Sequence, residues 1–246
     1  MKIELDMHTH TLASGHAYST IREMAKAASE KDIKLLGITE HAPGIPGTCD
    51  SIYFRNIKVV PREMYGVELM FGSEINIIDY EGSLSLEQKA INALDIRIAG
   101  IHYQCYKFGT IDQNTNAVIS AIKNPDIDII SHPDDGRCPL NYEAVVKASR
   151  DYNTFLELNN NSLNPINKRK NGVRNNIEML NLCKKYDVPI IMGSDAHVDV
   201  DVARFDFASK LLKEVDFPEE LIINRSVEEF KKRIKHNRKQ KDSCVA

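Results

Sequence analysis

The sequence predicts an α/β fold in which seven short strands alternate with helices and close into a (β/α) barrel. Apolar runs of strand length alternate with helical stretches, which is typical of parallel βαβ units. Each run is followed by a helix or a long loop, and this favours a barrel over an open sheet, although the spacing does not decide closure. Polar residues follow run after run, at the strand ends that form the active-site face of a barrel.

The strands are predicted from short apolar runs bounded by polar or turn-forming residues. In chain order they are Ile3–Leu5, Leu35–Thr39, Leu69–Ser73, Ile96–Ile101, Ile127–Ser131, Phe155–Leu158 and Pro189–Gly193, with a further short strand at Leu221–Ile223. Residues 42–60 have little periodicity and predict a long loop, which is typical of a lid, a binding element or a disordered segment.

The first helix is predicted to begin at a capping box, Thr20-Ile21-Arg22-Glu23, and to extend to about Glu30. A second capping box, Ser226-Val227-Glu228-Glu229, opens the last helix. The helices between them are predicted from apolar periodicity at Glu87–Leu94, Thr115–Lys123, Tyr142–Arg150, Arg174–Tyr186 and Ala203–Glu214.

Composition and charge fit one ordinary soluble globular domain over residues 1–246, with 42% hydrophobic and 27% charged residues. The net charge of −3 gives no reason to expect a polyanion-binding surface. We expect no signal peptide and no membrane contact, because no apolar run approaches the roughly 18–20 residues of a membrane span. Lys231–Lys241 is strongly basic, and with His236 it is interpreted as a solvated helix end in a tail of about 231–246.

The cysteines argue against a disulfide framework and against a cysteine-type zinc site, because they are odd in number and lack Cys-x-x-Cys spacing. They are Cys49, Cys105, Cys138, Cys183 and Cys244. A reducing, cytoplasmic location fits this pattern best.

Histidines and acids follow the predicted strands in a way that indicates a metal site. One histidine after a strand is more often a core or surface residue than a ligand, but here seven of the eight histidines share this location. The candidate ligands are His8, His10, His16, His41, Glu74, His102, His132, Asp195 and His197. Imidazole and carboxylate bind zinc, manganese and iron. Nine ligands are too many for one ion, so two or three metals fit the count.

The motifs around these residues resemble those of the PHP family, named for polymerase and histidinol phosphatase, in the branch of stand-alone bacterial phosphatases. They are Met7-His8-Thr9-His10-Thr11, Gly37-Ile38-Thr39-Glu40-His41, Gly72-Ser73-Glu74, Gly100-Ile101-His102, Ile130-Ser131-His132-Pro133 and Gly193-Ser194-Asp195-Ala196-His197. The resemblance implies a distorted, TIM-like (β/α)7 barrel, a trinuclear centre that is most often zinc, and a homotrimer.

The resemblance also implies how the ligands divide among the three ions. His8, His10, Glu74 and Asp195 would hold the first ion. Glu74 would bridge to a second ion with His102 and His132. The third ion would be held by His16, His41 and His197. Glu74 and Asp195 are the predicted catalytic residues, and a water activated to hydroxide between two metals would attack phosphorus in line.

Candidate phosphate-binding residues follow the fifth and sixth strands, where guanidinium or amide donors would reach the rim. They are Arg137, Asn159, Asn160, Arg169 and Arg174, with Lys168 and Arg204 as further candidates. Asp134 and Asp135 are predicted to orient a ligand histidine or to be loop residues, and not to bind metal directly.

The sequence therefore predicts a metal-dependent phosphatase that acts on a small phosphate monoester. A PHP-type nuclease or phosphodiesterase and a histidinol phosphatase are the alternative enzymes. The sequence lacks the basic stripe with interleaved aromatics that nucleic-acid binding favours. A metal-stabilised binding module without catalysis is the remaining alternative, and the unbroken ligand set argues against it.

Overall fold

Seven parallel strands form the barrel wall, as the sequence predicts. The computed structural model describes residues 2–167 and 169–234. The parallel strands follow the order β1-β2-β4-β5-β6-β7-β8, and β3 pairs antiparallel with the start of β4. The strands are β1 (Leu5–Asp6), β2 (Leu35–His41), β3 (Glu63–Met64), β4 (Val67–Asn76), β5 (Ile96–Gly100), β6 (Ile129–Ile130), β7 (Phe155–Asn159) and β8 (Ile190–Gly193).

The helices follow the predicted order along the chain. They are α1 (Ile21–Glu30), α2 (Ser51–Asn56), α3 (Gln88–Ile91), α4 (Ile111–Lys123), α5 (Tyr142–Tyr152), α6 (Gly172–Lys185), α7 (Asp206–Glu214) and α8 (227–234). Single 3-10 turns lie at Leu12–Ser14, Ile57–Val59, Asn161–Leu163, Asp199–Asp201, Glu219–Leu221 and Ile223–Arg225. The predicted capping box begins α1: Thr20 N–H donates to Glu23 Oε2 (2.7 Å), and Glu23 N–H donates to Thr20 Oγ1 (3.3 Å).

Two predicted elements are wrong. Residues 42–60 are not all loop, because they contain α2, which Asp50 caps through the Ser51 N–H and which buries Phe54. A helix of six residues is too short for its periodicity to stand out in the sequence. The predicted strand Leu221–Ile223 consists instead of two 3-10 turns around one bridge between Ile222 and Ile190.

The first and last strands of the sheet, β1 and β8, meet at the seam of the barrel. They are joined there by loop backbone and by one side chain. Beyond the strands, Asp195 N–H donates to His8 O (2.9 Å) and His10 N–H to Ala196 O (2.8 Å). At the opposite end the carboxamide of Asn224 fills the gap, accepting from Met192 N–H (2.7 Å) and donating to the carbonyls of both strands. The barrel is therefore nearly closed, with a distortion at this seam.

The barrel interior is filled by apolar side chains from the strands and from α8. These buried residues include Leu5, Leu35, Ile98, Phe155 and Ile191. Phe230 of α8 is fully buried, with its ring stacked on that of Phe155 at a centroid distance of 6.0 Å. Two further apolar clusters lie between the sheet and the outer helices.

The first part of the predicted tail differs from a simple solvated helix end. Ile234 is buried in the barrel core, and Lys231 Nζ contacts Glu68 Oε2 at 2.5 Å. The remainder of the tail, with His236 and Cys244, lies outside the described residues. Within the described ranges, no helix is both long and apolar enough to cross a bilayer.

Candidate metal centre

The nine predicted ligands lie together at the carboxyl ends of the strands. His8 and His10 follow β1, His41 ends β2, Glu74 belongs to β4, and His102 and His132 follow β5 and β6. Asp195 and His197 follow β8. His16 comes from the loop after the 3-10 turn Leu12–Ser14, and it is exposed at the rim, whereas six of the others are buried.

Glu74 is at the centre of the cluster, and both of its carboxylate oxygens face histidine nitrogens. Its Oε2 is 2.9 Å from His41 Nδ1 and 3.4 Å from His8 Nε2. Its Oε1 is 2.7 Å from His132 Nε2 and 3.2 Å from His102 Nε2. This carboxylate therefore has the position of a bridge between two ions.

The first predicted ligand group is compact enough for one ion. His8 Nε2 is 3.1 Å from His10 Nε2, and His10 Nε2 is 3.3 Å from Asp195 Oδ1 and 3.6 Å from Glu74 Oε2. Ligands at 2.0–2.2 Å around a tetrahedral zinc are separated by roughly 3.3–3.6 Å from one another. The distances among these four side chains, from 3.1 to 3.7 Å, lie close to that separation.

The predicted third group shares its histidines with neighbouring groups in the structure. His16 Nε2 is 3.2 Å from His197 Nε2, and the His16 ring stacks on His41 at 4.9 Å. Ligand atoms that could hold one ion, however, bring His41 together with His10 and His197, and in another group with Glu74 and His102. His41 thus lies between the predicted ion positions, whereas His16 lies close only to the third predicted position, at the rim.

Several of these atoms are buried without a hydrogen-bond partner in the described structure. They are His41 Nδ1, Glu74 Oε2 and His102 Nε2. The first two face each other at 2.9 Å, and an unpartnered buried polar atom is costly. A cation between them would satisfy both, so the donor set fits the divalent metals that the sequence predicts.

Outer residues fix which histidine nitrogen faces the centre. The Nδ1–H of His8 donates to Glu157 Oε1 (2.6 Å), and that of His102 donates to Asn76 Oδ1 (2.8 Å). The Nδ1–H of His197 donates to the Asp195 carbonyl (2.9 Å). Because these oxygens only accept, the Nε2 lone pair of each ring is left for a metal.

His10 is oriented by a chain of hydrogen bonds that ends at a buried carboxylate. Ser14 Oγ–H donates to Glu40 Oε2 (2.6 Å), so Ser14 Oγ accepts from His10 Nδ1–H (3.0 Å). Thr11 also donates to Glu40, through its N–H (3.0 Å) and its hydroxyl. Glu40 therefore acts on His10 through Ser14, a role that the sequence analysis missed although Glu40 is part of a quoted motif.

Glu157 is the most important residue that the sequence analysis missed. In addition to His8, its carboxylate accepts the His132 N–H (2.8 Å) and Asn159 Nδ2–H (3.0 Å). Gly193 makes room for it, since a Cβ at that position would meet Glu157 Oε1 at 1.8 Å. An acid inside the otherwise apolar run of β7 is the sequence signal that could have identified it, and the structure shows that this acid is buried.

Burial and mutual charge shift the pKa values within the cluster. Burial disfavours the charge of Glu74, but His102 and His8 outweigh it and hold the Glu74 pKa well below its usual range. Burial likewise opposes the charge of Asp195, and His8 and His10 keep its pKa low. Burial, together with His41 and His197, lowers the pKa of His10 well below its usual value. Ionised carboxylates and a neutral imidazole are the states that bind metal.

A cleft of about 250 Å³ lies over the cluster and carries two of the predicted phosphate-binding residues. Arg169 and Arg137 line it together with Tyr103. Asp135 accepts from the Nε and terminal NH2 groups of Arg137, whose guanidinium lies 5.3 Å from the Tyr103 ring centroid. Asp135 therefore orients an arginine and not a ligand histidine, while Asp134 is buried, and burial raises its pKa to about 6.

The other candidates have different locations. Asn159 is fully buried and donates to Glu157 and Asp195, so its amide is not available to phosphate. Asn160 and Arg204 line a neighbouring cavity. Arg174 is exposed on α6 and is not among the residues lining either cavity, because its helix turns it outward. Lys168 lies outside the described residues.

Comparison with known proteins is consistent with this architecture. The family model described as "PHP domain" matches residues 6–240. The chain is 49% identical to a protein named "Probable phosphatase" from Caldicellulosiruptor saccharolyticus, over 94% of this chain and 95% of that protein. It is 45% identical to "Probable phosphatase NT01CX_1282" of Clostridium novyi over 100% of both chains.

One solved structure shares the fold at low sequence identity. It is the crystal structure of a histidinol phosphate phosphatase from Lactococcus lactis, complexed with zinc, L-histidinol and phosphate. It is 16% identical, covers 87% of this chain and 94% of its own, and superposes with a TM-score of 0.61.

Proposed function

This chain belongs to the PHP domain family, and we propose that it is a metal-dependent phosphatase that hydrolyses small phosphate monoesters. The central observation is Glu74, whose two carboxylate oxygens both face histidine nitrogens at the floor of an arginine-lined cleft. The names of the relatives, all "Probable phosphatase", support the same class of reaction.

We propose three ions, most often zinc, with manganese or iron as alternatives that the same nitrogen and oxygen ligands accept. His8, His10, Glu74 and Asp195 would hold the first. Glu74, His102 and His132 would hold the second. For the third, the proximity of His197 to both His16 and His10 supports a site shared by His16, His41 and His197 with His10 nearby.

Bound divalent ions would supply Lewis acidity, which promotes water ionisation and offsets charge on the phosphoryl oxygens. The chain itself contributes donors and orientation. Arg169 and Arg137 present guanidinium groups to phosphoryl oxygens. Asp195 Oδ2 accepts from Asn159 (3.3 Å), which fixes the carboxylate so that it can orient the attacking water. In the net reaction the water oxygen bonds to phosphorus as the ester bond breaks, and a water proton passes to the leaving alcohol.

The test is metal analysis of purified protein combined with hydrolysis of 4-nitrophenyl phosphate. We expect about three ions per chain and loss of at least about a hundredfold in turnover after chelation, restored by zinc, manganese or iron. Metal-free protein with full turnover would contradict the proposal. Cleavage of bis(4-nitrophenyl) phosphate or a labelled single strand in preference to monoesters would favour the nuclease alternative, and a strong preference for histidinol phosphate would favour the histidinol phosphatase.

The predicted homotrimer and cytoplasmic location remain proposals, carried by the family resemblance and by the cysteine pattern. Sedimentation equilibrium of the full chain tests the first. A mass of about three chains is expected, since the resemblance implies a trimer, and a monomer at every concentration would contradict it.

A further inference from the structure

A second cavity, which we call the asparagine pocket, adjoins the metal cleft. Its volume is about 380 Å³. Five residues line both spaces: His16, Asn161, Asn167, Asp195 and His197. The residues that line only the asparagine pocket are Tyr18, Asn160, Asn164, Ser194, Asp201 and Arg204. Because the shared wall contains proposed metal ligands, a molecule with its phosphoryl group in the cleft can extend its remaining atoms into this pocket.

The asparagines present unused hydrogen-bonding groups to the pocket. The side-chain oxygens of Asn160 and Asn164 each accept a backbone N–H, at 3.0 and 3.1 Å. The Asn161 oxygen accepts from Asn167 Nδ2 at 2.7 Å. In the described residues this leaves the NH2 groups of Asn160, Asn161 and Asn164, and the oxygen of Asn167, without a protein partner. Such a mixture of uncharged donors and acceptors suits hydroxyl groups, which both donate and accept.

The charges around the pocket disfavour a second anionic group. Its one described lining cation, Arg204, donates to Asp201 Oδ1 (2.9 Å) and contacts Asp206 Oδ2 (3.3 Å). Two carboxylates therefore already balance its charge, so away from the wall that carries the proposed metal ligands the pocket offers no free cation to an additional carboxylate or phosphate. This contrasts with the metal cleft, where Arg137 and Arg169 share the single carboxylate of Asp135.

We propose that the asparagine pocket binds the leaving alcohol, and that this alcohol is a neutral polyhydroxylated chain or sugar. The inference rests on the proposed function and narrows it to phosphate monoesters of polyols. The phosphoryl group lies over the histidine cluster beside Arg169, while hydroxyls of the leaving group exchange hydrogen bonds with Asn160, Asn161 and Asn164.

A matched pair of substrates tests the charge preference. Sorbitol 6-phosphate and 6-phosphogluconate differ only at the carbon farthest from phosphorus, which is a hydroxymethyl group in one and a carboxylate in the other. We expect kcat/KM for the metal-loaded wild type to be at least about tenfold higher for sorbitol 6-phosphate, because the far part of the pocket offers the carboxylate no free cation and places it near Asp201. Equal values, or a preference for 6-phosphogluconate or histidinol phosphate, would overturn the proposal.

Asn164→Asp tests the pocket directly, since the new carboxylate still accepts the loop N–H but replaces the donors by a negative charge. We expect the ratio of kcat/KM for sorbitol 6-phosphate to that for 4-nitrophenyl phosphate to fall about tenfold. Asn92→Asp is the matched control: Asn92 is exposed beside α3 and accepts from Gln88 (2.8 Å), so its ratio should equal that of wild type. A ratio unchanged in Asn164→Asp contradicts the proposal.

A readout without turnover separates this inference from the proposed function. Saturation-transfer NMR of free sorbitol is expected to show contact with the metal-loaded wild type and a weaker signal with Asn164→Asp. Activity on 4-nitrophenyl phosphate alone decides whether the chain is a phosphatase. A protein that hydrolyses the aryl ester but neither binds sorbitol nor prefers its phosphate would keep the proposed function and overturn the polyol pocket.

Discussion

Glu74 connects the proposed ion positions because its two oxygens point in different directions within one cluster. Oε2 faces His8 and His41, and Oε1 faces His102 and His132. At least four imidazoles would lose their common partner if this charge were removed. The side chain is also fully buried, so no solvent ion would replace it at low cost.

Glu74→Gln is expected to lower both metal content and activity, because a neutral amide cannot bridge two cations. We expect at least about a hundredfold loss of kcat/KM and fewer bound ions by mass spectrometry of the metals. Glu63→Gln, an exposed acid in β3, is the matched control and should keep both. Full activity with a full metal complement in Glu74→Gln would remove this residue from the centre.

Glu157 does not line the cleft itself, yet it holds two proposed ligands in position through the His8 ring and the His132 backbone. The backbone of His132 is strained, with φ at +29°. The hydrogen bond from its N–H to Glu157 therefore helps to hold an unfavourable conformation.

Glu157→Gln is expected to weaken metal binding by about 10–100-fold, because outer partners of ligating histidines contribute that much. Competition with a calibrated chelator measures the affinity. Turnover at saturating metal should recover most of its wild-type value, which separates a positioning role from a catalytic one. An unchanged affinity would show that the His8 ring is oriented without this carboxylate.

Among the elements, α8 buries one face against the barrel and exposes the other. Phe230 and Ile234 enter the barrel at the end opposite the histidines, where they pack with Phe155 and Ile223. The parallel strands alone leave this end open, so the helix completes the interior core. The metal centre and α8 lie at opposite ends of the barrel. Substitutions in α8 should therefore change stability without a matching change in activity.

Phe230→Ala is expected to destabilise the protein by about 3–5 kcal/mol, since it empties a fully buried aromatic site. Urea unfolding followed by circular dichroism measures the change. Phe207→Ala, at a partly exposed position in α7, serves as the control and should cost less. Refolded Phe230→Ala molecules should keep near-normal kcat, and a selective loss of kcat would mean that α8 communicates with the site.

At the scale of the whole molecule, barrel closure and assembly of the site depend on the same contacts. The pairing that joins the two ends of the sheet involves His8, His10, Asp195 and Ala196, three of which are proposed ligands. Asn224 supports the same seam from the other end. Ions that bind His8, His10 and Asp195 would hold the first and last strands together.

Metal removal is therefore expected to lower thermal stability as well as activity. Any ligand that binds only the folded state stabilises by about 4 kcal/mol at a thousandfold excess over its dissociation constant, which corresponds to several degrees or more in Tm for a chain of this size. Calorimetry with and without chelator measures the shift, and re-added zinc should reverse it. The same shift in Glu74→Gln would contradict the link between ion binding and seam stability.

The order of strands and helices, and the approximate place of eight of the nine predicted ligands, followed from local pattern. A short apolar run ending in a histidine or an acid shows both a strand and its carboxyl end. Parallel topology then brings such ends to one face whatever the details. The capping box at Thr20 is equally local, and the structure confirms it.

Contacts between residues far apart in the chain could be recognised only in the tertiary structure. Glu157 meets His8 across 149 positions, and Asn224 meets Leu5 across 219. The burial of α8 and the wall shared by the two cavities also depend on how the barrel closes. These features depend on strand register and seam geometry, which local periodicity does not encode. Hence the sequence by itself indicated the candidate ligands and their chemistry, while the fold determined which residues orient those side chains and which pocket adjoins them.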